Sequence, residues 1–147
     1  MYQLTIVTPE KIIFDQKVIS VTAPGSIGYL GILANHAPIM TGLVPGKLSI
    51  RTQDDKKLVF AIDGGFLEGS FNKVTILADA IISPEDIRVE QEKKQAEKIR
   101  EELKNNKLDV ESLKLELARV LNRIKLSSDR EWFLLYNDNN LSEIIKK

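Results

Sequence analysis

His36 is the sole histidine in this chain of 147 residues, and there is no cysteine. Imidazole can act as an acid–base group or a metal ligand near neutral pH. A zinc or iron site needs several His, Cys or carboxylate ligands, and no H-x-H or closely spaced His–carboxylate pattern surrounds His36. A carboxylate distant in sequence could still meet it in space, but Asn35-His36-Ala37-Pro38 fits a histidine held in a loop ahead of a proline better than a reactive centre. The missing cysteines exclude a disulfide framework, a thiolate metal site and a cysteine nucleophile.

Two other segments invite a chemical reading. Gly25-Ser26-Ile27-Gly28-Tyr29-Leu30-Gly31 has the look of a phosphate loop. A Walker loop ends in Gly-Lys-Ser/Thr, so that amides and a lysine surround the phosphates. Here Gly31 is followed by Ile32-Leu33, and turn glycines explain the run better. Asp63-Gly64-Gly65 likewise reads as a tight turn. Toward the C-terminus, Lys114, Arg119, Arg123, Lys125 and Arg130 give a basic tendency that Glu111, Glu116 and Asp129 dilute. That segment reads either as a solvated helix face or as a surface for an acidic protein partner.

The elements that must position these residues differ between the two halves. All 8 glycines lie from Gly25 to Gly69, and four of the 5 prolines lie at or before Pro45. Of the 21 basic and 21 acidic residues, two thirds of each follow Pro84. Turn formers with sparse charge suit short strands, whereas charge-rich sequence without glycine suits exposed helices. Strand-like alternation runs through Leu4, Ile6, Ile12 and Phe14, and extended runs follow at 18–23, 47–52, 57–62, 66–70 and 73–79. Gln53-Asp54-Asp55-Lys56 is a hairpin turn. These short strands predict an antiparallel β-sandwich or barrel.

After it, Ser83 as cap and Pro84 as first helical residue predict a helix with the stripe Val89, Ala96, Ile99 and Leu103. Asn105-Asn106-Lys107 makes a turn, and Asp109 caps a second helix carrying Val110, Leu113, Leu117, Val120 or Leu121, and Ile124. The expected fold is therefore mainly β plus α: an N-terminal antiparallel β-sandwich over 1–83, a C-terminal antiparallel two-helix hairpin over 84–126, and an extension over 127–147. In that extension Ser128 and Glu131 form a capping pattern ahead of Trp132-Phe133-Leu134-Leu135-Tyr136. The hairpin's stripe is narrow, so the pair needs another surface to pack on, which makes it a natural two-state element.

Zero net charge speaks against nucleic acid as the partner. The opening Met1-Tyr2-Gln3-Leu4 lacks the regions of a signal peptide, and no apolar run approaches about 20 residues. A soluble protein is expected, reaching a membrane only through a partner.

One stretch is more specific than these patterns. Gly28, Leu30, Gly31, Ile32, His36, Ala37, Pro38, Thr41, Leu43, Pro45 and Gly46 fall at the spacing of G-x-L-G-I-x-x-x-H-A-P-x-x-T-x-L-x-P-G. The chain here resembles the epsilon subunit of F-type, rotary ATP synthases. Gly64-Gly65-Phe66-Leu67-Glu68 and Asn72-Lys73-Val74-Thr75-Ile76-Leu77-Ala78-Asp79 match further family segments, in the family's order, over roughly residues 1–126.

The resemblance implies a ten-stranded sandwich followed by two helices, in a non-catalytic rotor subunit that couples the catalytic head to the c-ring during proton-driven ATP synthesis. It implies partners in the gamma subunit, the c-ring and the alpha and beta subunits of the head. It places Gly28, Tyr29 and Leu30 in a loop facing the c-ring, and His36, Ala37 and Pro38 near gamma. The hairpin is expected to restrain ATP hydrolysis, with Arg119, Arg123 and Lys125 as its regulatory basic residues. The expected location is the cytoplasmic side of a bacterial cell membrane, with the stromal side of a plastid thylakoid as the alternative. ATP-binding members carry Ile-Asp-x-x-Arg-Ala on the first helix. Here Ile87-Arg88-Val89-Glu90-Gln91-Glu92 lacks the aspartate, the arginine and the alanine, so no nucleotide, cofactor or metal is expected. A free-standing sandwich adaptor and a small enzyme using His36 with an aspartate are the competing readings.

Overall fold

The computed structural model describes residues 1–105 and 109–136, with 128–136 as backbone. The chain divides after Ser83 into two compact units. The first holds nine strands: β1 (Tyr2–Val7), β2 (Ile12–Gly25), β3 (Gly28–Ile32), β4 (Ile39–Leu43), β5 (Gly46–Thr52), β6 (Lys57–Ile62), β7 (Gly65–Ser70), β8 (Lys73–Ala78) and β9 (Ile81–Ile82).

β2 is 14 residues long and serves two layers. Its first half pairs with β1, and its second half pairs with β3 and β5, across a register shift between Val18 and Ser20. One layer runs β4-β7-β8-β1-β2 and the other β3-β2-β5-β6-β9. The family resemblance implies ten strands, and ten segments appear once β2 is counted in both layers. The pairings are antiparallel except β1 with β8, which is parallel.

The core follows the two-residue period of the strands. Tyr2, Leu4 and Ile6 on β1 are buried, as are Leu48 and Ile50 on β5 and Val74, Ile76 and Ala78 on β8. Ile12, read with Leu4, Ile6 and Phe14 as one alternating set, is instead exposed, because the register shifts between Ile6 and Val7 and pairs Val7 with Ile12 on the outer face. Gln53-Asp54-Asp55-Lys56 does turn β5 into β6, with Asp55 at φ 61° and the Arg51 guanidinium 2.7 Å from its carboxylate. At Gly64-Gly65 both residues have positive φ, and a Cβ on Gly65 would collide with the Leu77 carbonyl. Only glycine fits there without moving β8.

In the second unit, Pro84–Asp86 forms a 3-10 turn, and α1 (Val89–Asn105) begins five residues after the predicted start at Pro84. The Ile87 amide donates to the Pro84 carbonyl at 3.2 Å, and Ile87 is buried. Seating Ile87 takes precedence over an uninterrupted helix. The Arg88 carbonyl then accepts the Glu92 amide at 3.1 Å, opening α1. α2 (Val110–Tyr136) packs antiparallel on α1 around Ala96, Ile99, Leu113 and Val120, flanked by Leu103, Leu117 and Ile124. Asp109 precedes it with φ 59°, and its carbonyl accepts the Leu113 amide at 3.0 Å. The capping pattern at Ser128 and Glu131 starts no helix: α2 runs through it unbroken. Of the predicted turn, Asn105 ends α1, while Asn106 and Lys107 lie outside the described residues, as does the extension from 137 onward.

Candidate functional site

The strand register sorts the candidate residues onto two ends of one layer. Ile39 at the start of β4 pairs with Gly69, and Leu43 at its end pairs with Gly65. Leu43 also pairs with Gly25, so the Ser26-Ile27 turn between β2 and β3 sits at the Leu43 end. His36 sits at the Ile39 end, where a Cβ on Gly69 would lie 2.7 Å from its Cε1. The length of β4 separates the two places by about 13 Å at a strand's rise per residue.

At the turn end, Gly28 has φ 141° and closes a hairpin whose tip, Ile27, is fully exposed. Gly25 to Gly31 is thus a hairpin rather than a phosphate loop. Tyr29 is exposed, yet its hydroxyl accepts the Lys47 amide at 2.9 Å. That bond lays the ring across Gly46, where a Cβ would meet both Pro24 and the Tyr29 hydroxyl. Leu30 is half-buried against the core. Ile27, Tyr29 and Val44 together make this end apolar and open to solvent.

At the other end, Ala37 and Pro38 are exposed and His36 is half-buried. The imidazole Nδ1 lies 2.7 Å from the Ala37 carbonyl, and the ring meets Tyr2 edge-on at 6.0 Å. The Tyr2 hydroxyl donates to the Ile32 carbonyl at 2.7 Å. The histidine's contacts are those of a packed loop residue. No cluster of three or more His, Cys, Asp or Glu able to hold a metal occurs among the described residues.

Sequence reasoning missed a third feature, a row of apolar side chains on the outer face of the β4-β7-β8-β1-β2 layer. Ile12, Val7, Leu77 and Phe66 are successive cross-strand partners. Ile12, Leu77 and Phe66 are 63%, 55% and 59% exposed. The signal was present as apolar residues at outward positions of the strand pattern, but only the register collects them into one stripe. Neighbouring outward positions are polar: Thr5, Thr75 and Glu68 are likewise joined strand to strand. A contiguous exposed apolar patch with a polar border marks an interaction surface.

The basic residues of α2 are not one free surface. Lys125 is exposed, whereas Arg119 and Arg123 are half-buried. Arg123 Nη1 lies 3.4 Å from Glu92 Oε2 on α1, with about a fifth of each side chain exposed (23% and 21%). Gln95 also donates to Glu116 across the helix pair at 3.4 Å.

Comparison with known proteins places this architecture in a family. The family described as ATP synthase, Delta/Epsilon chain, beta-sandwich domain matches residues 1–98. The ATP synthase epsilon chain of Protochlamydia amoebophila is 46% identical over 105 residues, covering 71% of each chain. That of Desulforamulus reducens is 38% identical over 125 residues, covering 84% of this chain and 94% of its own. The fold resembles a chain in the Euglena gracilis mitochondrial ATP synthase assembly of OSCP, F1 and c-ring, with TM-score 0.73 and 25% identity over 86% of this chain and 80% of that one. These matches define a sandwich-bearing ATP synthase subunit. The chain belongs to the ATP synthase epsilon-chain family.

The buried phenol gives a test of how the His36 end is built. Burial pushes Tyr2 up to about 12, whereas the unfolded chain releases that proton near its ordinary value of 10.0. Between those values the folded state holds the extra proton, so stability is complete below the lower one and falls as pH rises through the window. Tyr2→Phe should lower stability at neutral pH by about 1 kcal/mol through loss of the hydrogen bond to Ile32. It should also flatten the alkaline decline in urea unfolding. An equal decline in both proteins would show that the phenol does not carry it.

Proposed function

We propose that this chain is the non-catalytic central-stalk subunit that joins the catalytic head of an ATP synthase to its c-ring. The complex makes ATP from ADP and phosphate at the expense of a transmembrane proton gradient, with the catalytic sites on other subunits. The observation that carries this reading is the outer row of exposed Ile12, Leu77 and Phe66 with half-buried Val7, in a member of the epsilon-chain family. It supports gamma as the partner of that layer, with Ala37, Pro38 and the His36 loop at the margin of the same contact. The apolar turn at Gly28, Tyr29 and Leu30 supports the c-ring as the partner of that end. The likeness to the Euglena chain, whose assembly holds F1 and c-ring, points the same way. No helix among the described residues is long and apolar enough to cross a membrane, which fits attachment through the complex. The relatives in Protochlamydia amoebophila and Desulforamulus reducens are bacterial, which supports the cytoplasmic face of a bacterial cell membrane.

In this reading residues 1–83 attach to the rotor, 84–126 regulate, and 127–147 form a C-terminal extension. Among the described residues, the contact between the two helices centres on Ala96, Ile99, Leu113 and Val120, with the part-exposed Arg123–Glu92 ion pair beside them. Such a pair contributes about 0–1 kcal/mol, and the balance between two positions of the hairpin is shifted by a few kcal/mol. Arg123 can exchange Glu92 for carboxylates of the catalytic head, with Arg119 and Lys125 adding to the same contact. Deleting 84–147 should therefore raise ATP hydrolysis by reconstituted complexes of matched subunit content while leaving the sandwich on the rotor. Equal rates with and without the hairpin, at low and high salt, would remove the brake from this account.

The hairpin's ATP motif is altered where it matters. Arg88 and Gln91 are exposed and stand where the family motif has its aspartate and arginine, and Glu92 is already engaged with Arg123. We expect the isolated chain to show no saturable heat with ATP in titration calorimetry. A binding isotherm in the micromolar range would contradict this.

A further inference from the structure

We propose that Asp15 is a preset seat for a cationic side chain of the protein that covers the outer row, and that it fixes how that partner lies on the sheet. This rests on the reading of that face as the rotor contact. The strand register sets the outward residues of the β4-β7-β8-β1-β2 layer in parallel rows. The first is the apolar row from Ile12 to Phe66. The second, one outward position further along each strand, joins Asp15, Thr5, Thr75 and Glu68. The third joins Lys17, Gln3, Lys73 and Ser70. The face thus runs apolar, acidic, basic, with roughly 7 Å between rows at two residues' rise. It fits a partner segment that runs apolar, basic, acidic. Apolar contact is non-directional and would let the partner slide along the row or lie reversed. A charge that must be matched at one place removes those alternatives.

The surroundings of Asp15 suit it to that role. Gln3 Nε2 and Thr5 Oγ1 both donate to one carboxylate oxygen, Oδ1, at 2.7 and 2.9 Å. Oδ2 accepts no hydrogen bond among the described residues, and Asp15 is exposed. The Gln3 bond first, then the Thr5 bond, hold the carboxyl below its usual range, and the charge of Lys73 adds to them. The group is therefore ionised at neutral pH. The β1–β2 ladder already joins these strands, so two exposed side-chain bonds add little to the fold. What they do is hold the carboxylate in one orientation with Oδ2 unengaged. An acceptor fixed before binding loses less rotamer freedom when the partner arrives.

The test is the calorimetric affinity of the full-length chain for purified gamma subunit at about 0.05 M and 0.5 M salt, with urea unfolding to show that each variant is folded. Asp15→Asn keeps the shape and an acceptor for Gln3 and Thr5 but removes the charge. It should weaken binding about tenfold at low salt and much less at high salt. Asp15→Lys should weaken it about a hundredfold or more at low salt. Asp54→Lys makes the same change of charge on the exposed β5–β6 turn, in the other layer, and should bind as the native chain does. Native affinity in both Asp15 variants, while Phe66→Asp loses binding, would overturn the seat and leave the rotor reading intact. Equal losses in Asp15→Lys and Asp54→Lys would assign the effect to net charge and overturn the seat as well. Undiminished affinity in Phe66→Asp would remove the rotor reading itself, and the seat with it.

Discussion

The structure of the sandwich depends on one strand belonging to both layers. β2 leaves β1 and joins β3 and β5 within 14 residues, and the irregularity between Val18 and Ser20 is where it changes allegiance. A bulge of this kind bends a strand and raises its twist, which lets a continuous chain turn the corner of a sandwich. Val18 and Val21, on either side, are completely buried, so the corner is fixed by core packing as well as by hydrogen bonds. With β2 in place, β1 and β8 are carried into one layer and β5 and β6 into the other. The two ends of β4 then become distinct sites.

That separation has a functional sense. The hairpin tip at Ile27 and Tyr29 is apolar because its backbone needs are met locally: Gly28 supplies the positive φ, and the Tyr29 hydroxyl takes the Lys47 amide. The apolar row on the layer's outer face ends near that tip, since Phe66 pairs with Gly42 beside Leu43. The His36 loop, at the far end of β4, is held by polar and ring contacts. One unit thus offers two apolar surfaces and one polar loop. The hairpin has a small core of its own, with the part-exposed Arg123–Glu92 ion pair across its two helices.

Much of this was legible in the sequence. Period-two alternation on β1, β5 and β8 marked the strands, and the Gly and Asp positions marked the turns, because those backbones need residues that tolerate left-handed or tight conformations. The glycine and histidine motif of residues 28–46 identified the family that residues 1–98 match. Other features were not readable, for physical reasons. The outer apolar row joins residues from β1, β2, β7 and β8, and only the register brings them side by side. Tyr2 reads as an unremarkable residue near the start, yet it is almost fully buried, bonds the Ile32 carbonyl and meets the His36 ring. The helix begins at Val89 rather than Pro84 because burial of Ile87 outweighs a good capping sequence. α2 overrides the Ser128 and Glu131 pattern because serine and aspartate cost a helix interior well under 1 kcal/mol each, too little to break a long helix.

The central claim is that the outer row of the β4-β7-β8-β1-β2 layer is the surface that grips the rotor. Its most direct test is the affinity of the full-length chain for purified gamma subunit, measured by calorimetry for the native protein and for Phe66→Asp. Phe66 is 59% exposed, so the substitution should leave the circular dichroism and unfolding midpoint close to native. The account predicts a loss of affinity of about thirtyfold or more, the scale of an anchoring interface residue. Undiminished affinity in a correctly folded Phe66→Asp protein would contradict it.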